Sequence, residues 1–319
     1  MFYSFLAFGT FSYLLFHIIE SFFPSFVTRK LYYVAASYLG IIFISFFIIL
    51  AYELIKLVFK FNIPIINSLV VALILLISVF SLINGAKIHT INHELTFDYS
   101  AENFTFVHLT DIHLGSIRDQ NYLDDVVDKT IAAKPDVVFI TGDMFDGTAP
   151  LSDEMLEPFN RLKVPIYFSL GNHEQYEGLS KVIEVLEKTN ITILDNKVEH
   201  FKGIQLIGVD FSESKTNLEF ILPNLKYNSS VPTILLSHAP DGFTYASSNG
   251  VDLMLSGHTH GGQIFPFNFL VRLRYKYVEG LHKLNNSFLY VNPGTGTWGP
   301  PMRLGSDNEI AVFKINFKK

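Results

Sequence analysis

The sequence of 319 residues contains no cysteine. This absence excludes disulfide bonds, catalysis by a thiolate and zinc sites with cysteine ligands, and it leaves the redox compartment open. Charge is also scarce in one part of the chain, because residues 1–85 hold only six charged side chains, with a net charge of +2. Since the whole chain carries −6, residues 86–319 carry −8. This acidic part argues against a nucleic-acid-binding surface, which needs a basic footprint.

Long apolar segments fill the region that is poor in charge. They are residues 2–23, residues 31–50 with a possible helical continuation to 59, and residues 65–83. A helix of about 20 residues rises about 30 Å, which is the thickness of the hydrocarbon core of a bilayer. We therefore predict that residues 1–85 form a transmembrane region of about three helices, with a turn at Asn62 and Ile63. The first segment carries the polar His17 and Glu20, and an interfacial position for it would leave two spans.

The basic residues around these segments predict an orientation. With three spans, Arg29, Lys30 and Lys87 lie on the same side as the rest of the chain, whereas Lys60 lies on the other side and Lys56 at the membrane edge. Cytoplasmic loops carry the excess of basic residues. The sequence therefore predicts that the part of the chain after the apolar segments faces the cytoplasm.

The composition and the hydrophobic pattern of the chain change after the apolar region. Residues 86–103 are mixed and polar, which predicts a linker. From Phe104 onward, buried strands alternate with amphipathic helices, predicted over 119–133, 152–162 and 179–189, and a strand-rich half follows. This order predicts a layered α/β domain over residues 104–319, with helices covering a sheet.

Polar side chains follow the ends of successive predicted strands, and a Gly-His-Thr-His sequence follows one of the last. The residues concerned are Asp111, His113, Asp143, Asn172, His173, His238, His258 and His260. A single Asp after a strand is usually a turn residue. Because open α/β sheets bind ligands beyond the carboxyl ends of their strands, the repetition favours one shared site.

Two metal ions suit these residues better than one. The first predicted site is Asp111, His113, Asp143 and His260, and the second is Asp143, Asn172, His238 and His258. Asp143 would belong to both, since an ionised carboxylate has enough lone pairs to bridge two cations. Mixed carboxylate, amide and imidazole ligands suit Mn, Fe or Zn and fit Ca poorly. Such pairs of ions activate water and clamp a phosphate for in-line attack.

Two further features are open to more than one interpretation. His173 directly follows a predicted ligand, so its side chain points elsewhere; it is a candidate acid for the leaving oxygen, or a hydrogen-bonding partner of a phosphate or of a neighbouring carboxylate. Residues 265–277 mix aromatic residues with Arg272, Arg274 and Lys276. They predict either an ordinary strand or hairpin, or a flap beside the site that is apolar toward lipid and basic toward a head-group phosphate.

The blocks Asp-x-His, Gly-Asp, Gly-Asn-His-Glu and Gly-His-Thr-His, in this order over roughly residues 104–316, resemble the calcineurin-like metallophosphoesterase superfamily. Residues 261–264 and 292–298 are similar to its membrane-anchored bacterial branch, which includes enzymes similar to the UDP-diacylglucosamine pyrophosphatases. The resemblance implies a four-layer αββα sandwich, a dinuclear centre with the ligands given above, and His173 as the general acid or its helper. The N-terminus departs from many relatives, which carry one anchor or a signal.

The residues and the resemblance together predict a phosphoesterase in a bacterial inner membrane. Its expected substrate is a phosphodiester or pyrophosphate, possibly linked to a lipid, and not a nucleic acid. Two alternatives stay open: a broad phosphodiesterase that is merely tethered to the membrane, and a membrane scaffold built on a residual phosphoesterase domain.

Overall fold

The computed structural model describes residues 2–59 and 64–318. Its helices are α1 (Phe2–Phe22), α2 (Phe26–Phe59), α3 (Pro64–Ala86), α4 (Gln120–Ala132), α5 (Asn172–Glu177), α6 (Leu179–Leu186), α7 (Asn217–Ile221), α8 (Phe243–Ser248) and α9 (Phe267–Arg274). Short 3-10 helices cover Asp153–Arg161, Leu222–Asn224 and His260–Gly262. The predicted turn at Asn62 and Ile63, and the charge of Lys60, lie outside the described residues.

The strands form two sheets of six. The strands are β1 (Ile88–Phe97), β2 (Phe104–Leu109), β3 (Val137–Thr141), β4 (Ile166–Ser169), β5 (Ile191–Ile193), β6 (Lys197–Phe201), β7 (Ile204–Val209), β8 (Thr233–Ser237), β9 (Leu253–Ser256), β10 (Gly280–Leu284), β11 (Ser287–Val291) and β12 (Asn308–Phe317). The first sheet has the order β1-β12-β2-β3-β4-β5 and the second β10-β11-β9-β8-β7-β6. Strands β2 to β5 run parallel, as do β7, β8, β9 and β11. Their carboxyl ends therefore gather at one edge of each sheet.

Helices cover the outer face of each sheet, and the inner faces pack on one another. Between the sheets lies an aromatic core in which the rings of Phe106 and Phe313 stack at 4.8 Å. Helices α4 and α6 bury their apolar faces on the first sheet, and α7 and α8 on the second. Helix α4 begins where the Asp119 carboxylate accepts the backbone N–H of Asn121, as expected for a capping residue. The predicted four-layer αββα sandwich is confirmed.

The prediction of a linker over residues 86–103 is wrong. Residues Ile88–Phe97 form strand β1, which pairs in parallel with β12 along its whole length. Because β1 lies at the edge of the sheet and buries only Leu95 and Phe97, its composition stays polar. Its partner is more than 200 residues away in sequence, so no local sequence pattern predicts the pairing.

The end of α3 is fastened directly to the sandwich. The last carbonyl groups of a helix have no partner within it, and here the Gly85 carbonyl accepts hydrogen bonds from Arg118 Nη2 at 2.5 Å and Asn308 Nδ2 at 2.6 Å. The backbone N–H of Arg303 donates to the Ser81 carbonyl at 3.0 Å. A Cβ atom on Gly85 would lie 2.5 Å from the Pro301 carbonyl oxygen, so the close approach requires glycine. The apolar helices and the sandwich are therefore one continuous structure.

Helices α1 and α3 pack on different halves of α2. The ring of Tyr13 in α1 lies 5.5 Å from that of Tyr32, early in α2. By contrast, the Tyr52 hydroxyl, late in α2, donates to Asn67 of α3 at 2.6 Å. Glu20, at the end of α1, is buried and accepts a hydrogen bond from Ser116 of the sandwich at 2.8 Å.

Two helices of the described residues are long and apolar enough to cross a membrane. They are Phe26–Phe59 and Ile65–Ala86, and most of their surface is exposed. An exposed surface of this kind distinguishes them from the buried core helices of a soluble protein. The N-terminal region therefore indicates association with a membrane.

Candidate metal centre

The structure brings all eight predicted site residues together at the carboxyl ends of β2, β3, β4, β8 and β9. Ligand atoms lie within 4.8 Å of one another in three groups: Asp111, His113 and His260; Asp143, His238 and His258; and His113, Asp143 and His173. Asn172 joins the second group, because its Oδ1 lies 3.1 Å from His238 Nε2. The two predicted sites thus correspond to two adjacent clusters, and the role of each residue as a ligand stays a prediction.

Asp143 lies between the clusters. Its Oδ2 is 3.2 Å from His238 Nε2 in one cluster and 3.8 Å from His113 Nε2 in the other. In the cluster of Asp111 and His113, His260 Nε2 lies 3.2 Å from Asp111 Oδ1 and 3.1 Å from His113 Nε2. One carboxylate therefore faces both groups of imidazoles, which is the arrangement a bridging ligand requires.

The spacing of these atoms fits bound cations. Neighbouring ligands on an octahedral ion with bonds of about 2.1 Å are about 3.0 Å apart. Five pairs of nitrogen and oxygen atoms in the two clusters are 3.1–3.2 Å apart, whereas His113 Nε2 lies 3.8 Å from Asp143 Oδ2 and 3.9 Å from Asp111 Oδ1. Asp111 and Asp143 are buried, and their ion-pair contacts among the described residues are with histidines. Buried carboxylates without a permanent positive partner are costly, and a divalent cation would remove that cost.

The histidine pKa values reflect the same negative charge. Burial lowers the pKa of His238, but the charges of Asp143 and Asp111 outweigh burial and raise this pKa to about 10. Burial and the neighbouring His238 lower the pKa of His258 to about 4, so its ring is neutral at pH 7 and has a free lone pair. The carboxylates thus create a strongly negative potential where a cation would bind.

Contacts outside the clusters fix how the rings are presented. His238 Nδ1 lies 2.7 Å from the Thr141 carbonyl oxygen, so Nδ1 carries the proton and Nε2 faces the centre. The Tyr275 hydroxyl lies 2.7 Å from His258 Nε2, which leaves Nδ1 toward the second cluster. Such partners orient metal-binding histidines and raise their basicity.

The backbone at the centre is strained. Asp111, His113, Asp143, His258 and His260 all have positive φ, between 50° and 69°. Non-glycine residues in this region cost about 1–3 kcal/mol each and persist only where the surroundings enforce them. Five such residues at one site indicate that the sandwich holds them for a function that needs this geometry.

Glu174 belongs to the Gly-Asn-His-Glu block, but no role was predicted for it from the sequence. Its buried carboxylate accepts the backbone N–H groups of Gly171 at 2.7 Å, Asp143 at 2.9 Å and Met144 at 2.8 Å. Burial and the charge of Asp143 raise its pKa to about 7. Glu174 therefore ties the loop of Asp143 to the loop of Asn172, and its place in the Gly-Asn-His-Glu block was the available signal.

No role was predicted for Arg303 from the sequence. Its buried guanidinium donates to the carbonyl oxygens of His260 at 2.6 Å, Pro293 at 2.7 Å and Gly296 at 2.6 Å. It fixes the loop of His260 against the loop before β12. Two of these partners belong to the same loop as Arg303, but His260 lies 43 residues away in sequence, and no local pattern predicts that contact.

The prediction of a strand or hairpin over residues 265–277 is wrong, because Phe267–Arg274 form helix α9. The helix does lie beside the centre, as the flap interpretation required. Its arginines, however, do not point freely at a phosphate: Arg274 Nη1 lies 3.0 Å from Asp241 Oδ2, and Arg272 lies 4.0 Å from Glu279. They hold α9 to the sandwich.

Comparisons with known proteins agree with this geometry. The sequence profile described as calcineurin-like phosphoesterase matches residues 104–262. An uncharacterized metallophosphoesterase of Helicobacter pylori is 39% identical over 215 residues, which are 65% of this chain and 58% of that protein. One of Aquifex aeolicus is 32% identical over 221 residues, 66% of this chain and 84% of that protein.

A transmembrane protein with metallophosphoesterase domain from Bos taurus is 34% identical over 235 residues, 66% of this chain and 52% of that protein. The match thus spans between half and three fifths of the Helicobacter and bovine relatives, and most of the Aquifex protein. The strand-end residues, the two sheets and these relatives lead to one conclusion: the chain belongs to the calcineurin-like phosphoesterases, a family of phosphoric ester hydrolases that depend on two metal ions.

Proposed function

We propose that this protein is a membrane-bound phosphoesterase that hydrolyses a phosphodiester or pyrophosphate in a lipid-linked substrate. The observation that carries the proposal is the pair of Asp/His clusters that share Asp143. Asp111, His113, Asp143 and His260 would hold one divalent ion, and Asp143, Asn172, His238 and His258 the other. Mn, Fe or Zn suits these ligands best. When bound, such a pair of ions stabilises the charge of the phosphate and activates water.

His173 is the proposed general acid. Its backbone N–H donates to Asp143 Oδ1 at 2.9 Å, and its ring lies 4.6 Å from that of His113. Burial lowers the pKa of His173, so its ring is neutral at pH 7 until the negative charge of a phosphate enters the site. The bound substrate would thus favour the protonated ring that can give its proton to the leaving oxygen.

The proposed lipid link is supported by how the sandwich is attached. The contacts of Gly85 with Arg118 and Asn308 leave no flexible tether between α3 and the first sheet. Helix α9, beside the centre, also contacts α2, since the rings of Phe267 and Phe43 lie 6.4 Å apart. A catalytic centre held against apolar helices is suited to a substrate that stays in the membrane.

The proposed topology has two spans and a cytoplasmic catalytic domain. Helices α2 and α3 would cross the bilayer, and α1, which packs on the first half of α2, would lie in the interface. Arg29 Nη1 lies 3.8 Å from Asp119 Oδ2 of the sandwich, so the basic first turns of α2 are on the catalytic side, as is Lys87. This distribution favours the cytoplasm. A periplasm-specific reporter fused after Lys319 should be inactive, and an active one would contradict this orientation.

Phosphorus NMR tests the function. The purified protein with Zn²⁺, a diamagnetic ion, is incubated in mixed micelles with one phosphodiester head group, either linked to long acyl chains or deacylated. We expect faster hydrolysis of the acylated form. Equal rates would indicate a broad phosphodiesterase that is only tethered to the membrane, and no hydrolysis by metal-loaded protein would indicate a scaffold.

A further inference from the structure

A cavity of about 540 Å³ lies between α2 and α9 and ends at the metal centre. Leu39, Gly40 and Phe43 of α2 form one wall, and Phe267, Leu270 and Val271 of α9 form the other. His258 and His260 lie at its inner end. We call this cavity the α2–α9 groove. It connects a helix that is long and apolar enough to cross a membrane with the proposed catalytic centre.

Four polar side chains that line the groove, those of Thr259, Gln263, Arg274 and Tyr275, are already bonded to other groups of the protein. Gln263 Nε2 donates to the Trp298 carbonyl at 2.8 Å, and Thr259 Oγ1 donates to the Val278 carbonyl at 2.5 Å. Arg274 pairs with Asp241, and the Tyr275 hydroxyl contacts His258. A sugar or a nucleobase in the groove would find few free partners and would lose its bonds to water, which is costly. The groove therefore suits a hydrocarbon.

The outer side of α9 is also apolar. No residue of α9 is buried, and Leu273 and Phe269 are 83% and 59% exposed. Contiguous exposed apolar surface of this kind marks a contact with a membrane or a partner. Because Phe267 of α9 approaches Phe43 of α2, the α9 surface continues the apolar surface of a candidate membrane helix. Continuity with that helix favours lipid as the occupant.

We propose that the α2–α9 groove holds one hydrocarbon chain of the lipid-linked substrate, while the phosphate of the same molecule lies at the metal centre. The chain would enter sideways from the bilayer between α2 and α9. A volume of about 540 Å³ lies within the range of about 300–1,000 Å³ of small-molecule sites. Since a water molecule takes about 30 Å³ and a methylene group is similar in size, the groove accommodates one long chain rather than two. This inference rests on the proposed function for the identity of the molecule, but occupation of the groove can be tested without catalysis.

The single tryptophan of the chain provides that test, because Trp298 lines the groove. The protein is placed in nanodiscs of phosphatidylcholine whose acyl chains carry bromine, with chelator present so that no hydrolysis occurs. Bromine quenches tryptophan fluorescence at short range. We expect strong quenching of Trp298 relative to nanodiscs without bromine.

Two double variants show whether the quenching lipid is in the groove. Leu39→Phe with Val271→Phe fills it, whereas Leu69→Phe with Leu273→Phe adds the same side chains at exposed positions of α3 and α9 outside it. We expect the filled variant to lose at least about half of the quenching and the control to match the wild type. Equal quenching in all three proteins, or none in the wild type, would overturn the inference. Matching thermal stability of the two variants excludes misfolding as the cause.

The second arm measures kcat/KM for one phosphodiester head group with chains of increasing length. Because each buried methylene contributes about 0.8 kcal/mol and about 1.4 kcal/mol is tenfold, we expect the wild type to prefer long chains by at least tenfold. The filled variant should lose this preference and keep its rate on the shortest substrate. Full preference in the filled variant would overturn the inference. Absence of any hydrolysis by the wild type would instead refute the proposed function, and the fluorescence result would still decide whether the groove binds lipid.

Discussion

Replacing Glu174 with alanine should destabilise the protein and weaken its affinity for metal together. The carboxylate of Glu174 is buried and accepts three backbone N–H groups, those of Gly171, Asp143 and Met144. These bonds join two loops that carry predicted ligands. Without the carboxylate, three buried donors lose their partner.

The magnitude follows from those three bonds. A buried donor left unsatisfied costs about 1–3 kcal/mol. The lower end applies here, because the burial of Glu174 and its repulsion by Asp143, which raise its pKa to about 7, are relieved by the substitution. Glu174→Ala should therefore lower the free energy of unfolding by about 3 kcal/mol, or the melting temperature by about 6–12 °C at the usual 2–4 °C per kcal/mol. Glu174→Gln keeps one oxygen for Gly171 and Asp143 and loses the bond to Met144, so its loss should be about 1 kcal/mol.

Differential scanning calorimetry in detergent, with chelator and with Mn²⁺, measures both effects. Glu157→Ala serves as the control, because Glu157 is exposed and accepts a surface hydrogen bond from Gln120; it should change the melting temperature by less than about 2 °C. We expect Mn²⁺ to stabilise the wild type and the control more than Glu174→Ala. A Glu174→Ala protein as stable and as metal-responsive as Glu157→Ala would refute the role given to these hydrogen bonds.

Further predictions concern the ligands, the acid and the attachment to α3. Asp143→Asn should cost both metal ions and nearly all activity, because an amide bridges two cations poorly; elemental analysis that finds both ions would contradict the bridging role. His173→Ala should keep its metal and lose turnover by about 10²–10⁴-fold, and a metal-depleted variant would show that His173 is a ligand instead. Gly85→Val should loosen α3 from the sandwich, since a Cβ there would lie 2.5 Å from a carbonyl oxygen. Limited proteolysis around residue 87 should then cut the variant faster than the wild type, and equal rates would show that the junction tolerates the side chain.

The residues of the metal centre could be predicted because short, local sequence patterns identify them. Each predicted ligand directly follows a strand, and short blocks such as Gly-His-Thr-His are contiguous. Parallel strands bring their carboxyl ends to one edge of a sheet, so strand order in the sequence was enough to gather Asp111 with Asp143 in the first sheet and His238 with His258 in the second. The paired clusters also follow from ligand chemistry, which depends on residue type.

The parts that were missed are set by contacts distant in sequence. Strand β1 owes its conformation to β12, and Arg303 joins its own loop to the loop of His260, which lies 43 residues away in sequence. In the sequence of α9, apolar and basic residues alternate, and this period also fits a strand. The helix is favoured by packing against α2 and the metal centre, which the sequence does not show. The strained backbone at Asp111 and His258 is equally invisible in the sequence, because these residue types do not require positive φ.

Titration of metal-stripped protein with Mn²⁺ tests directly whether two bound metal ions support hydrolysis. The rate of hydrolysis of a chromogenic bis-aryl phosphodiester is measured as Mn²⁺ is added. We expect no hydrolysis before addition, activity that reaches its plateau when two ions are bound per chain, and no recovery in Asp143→Asn. A protein that binds two Mn²⁺ ions per chain and still hydrolyses neither this diester nor any acylated phosphodiester would contradict the account.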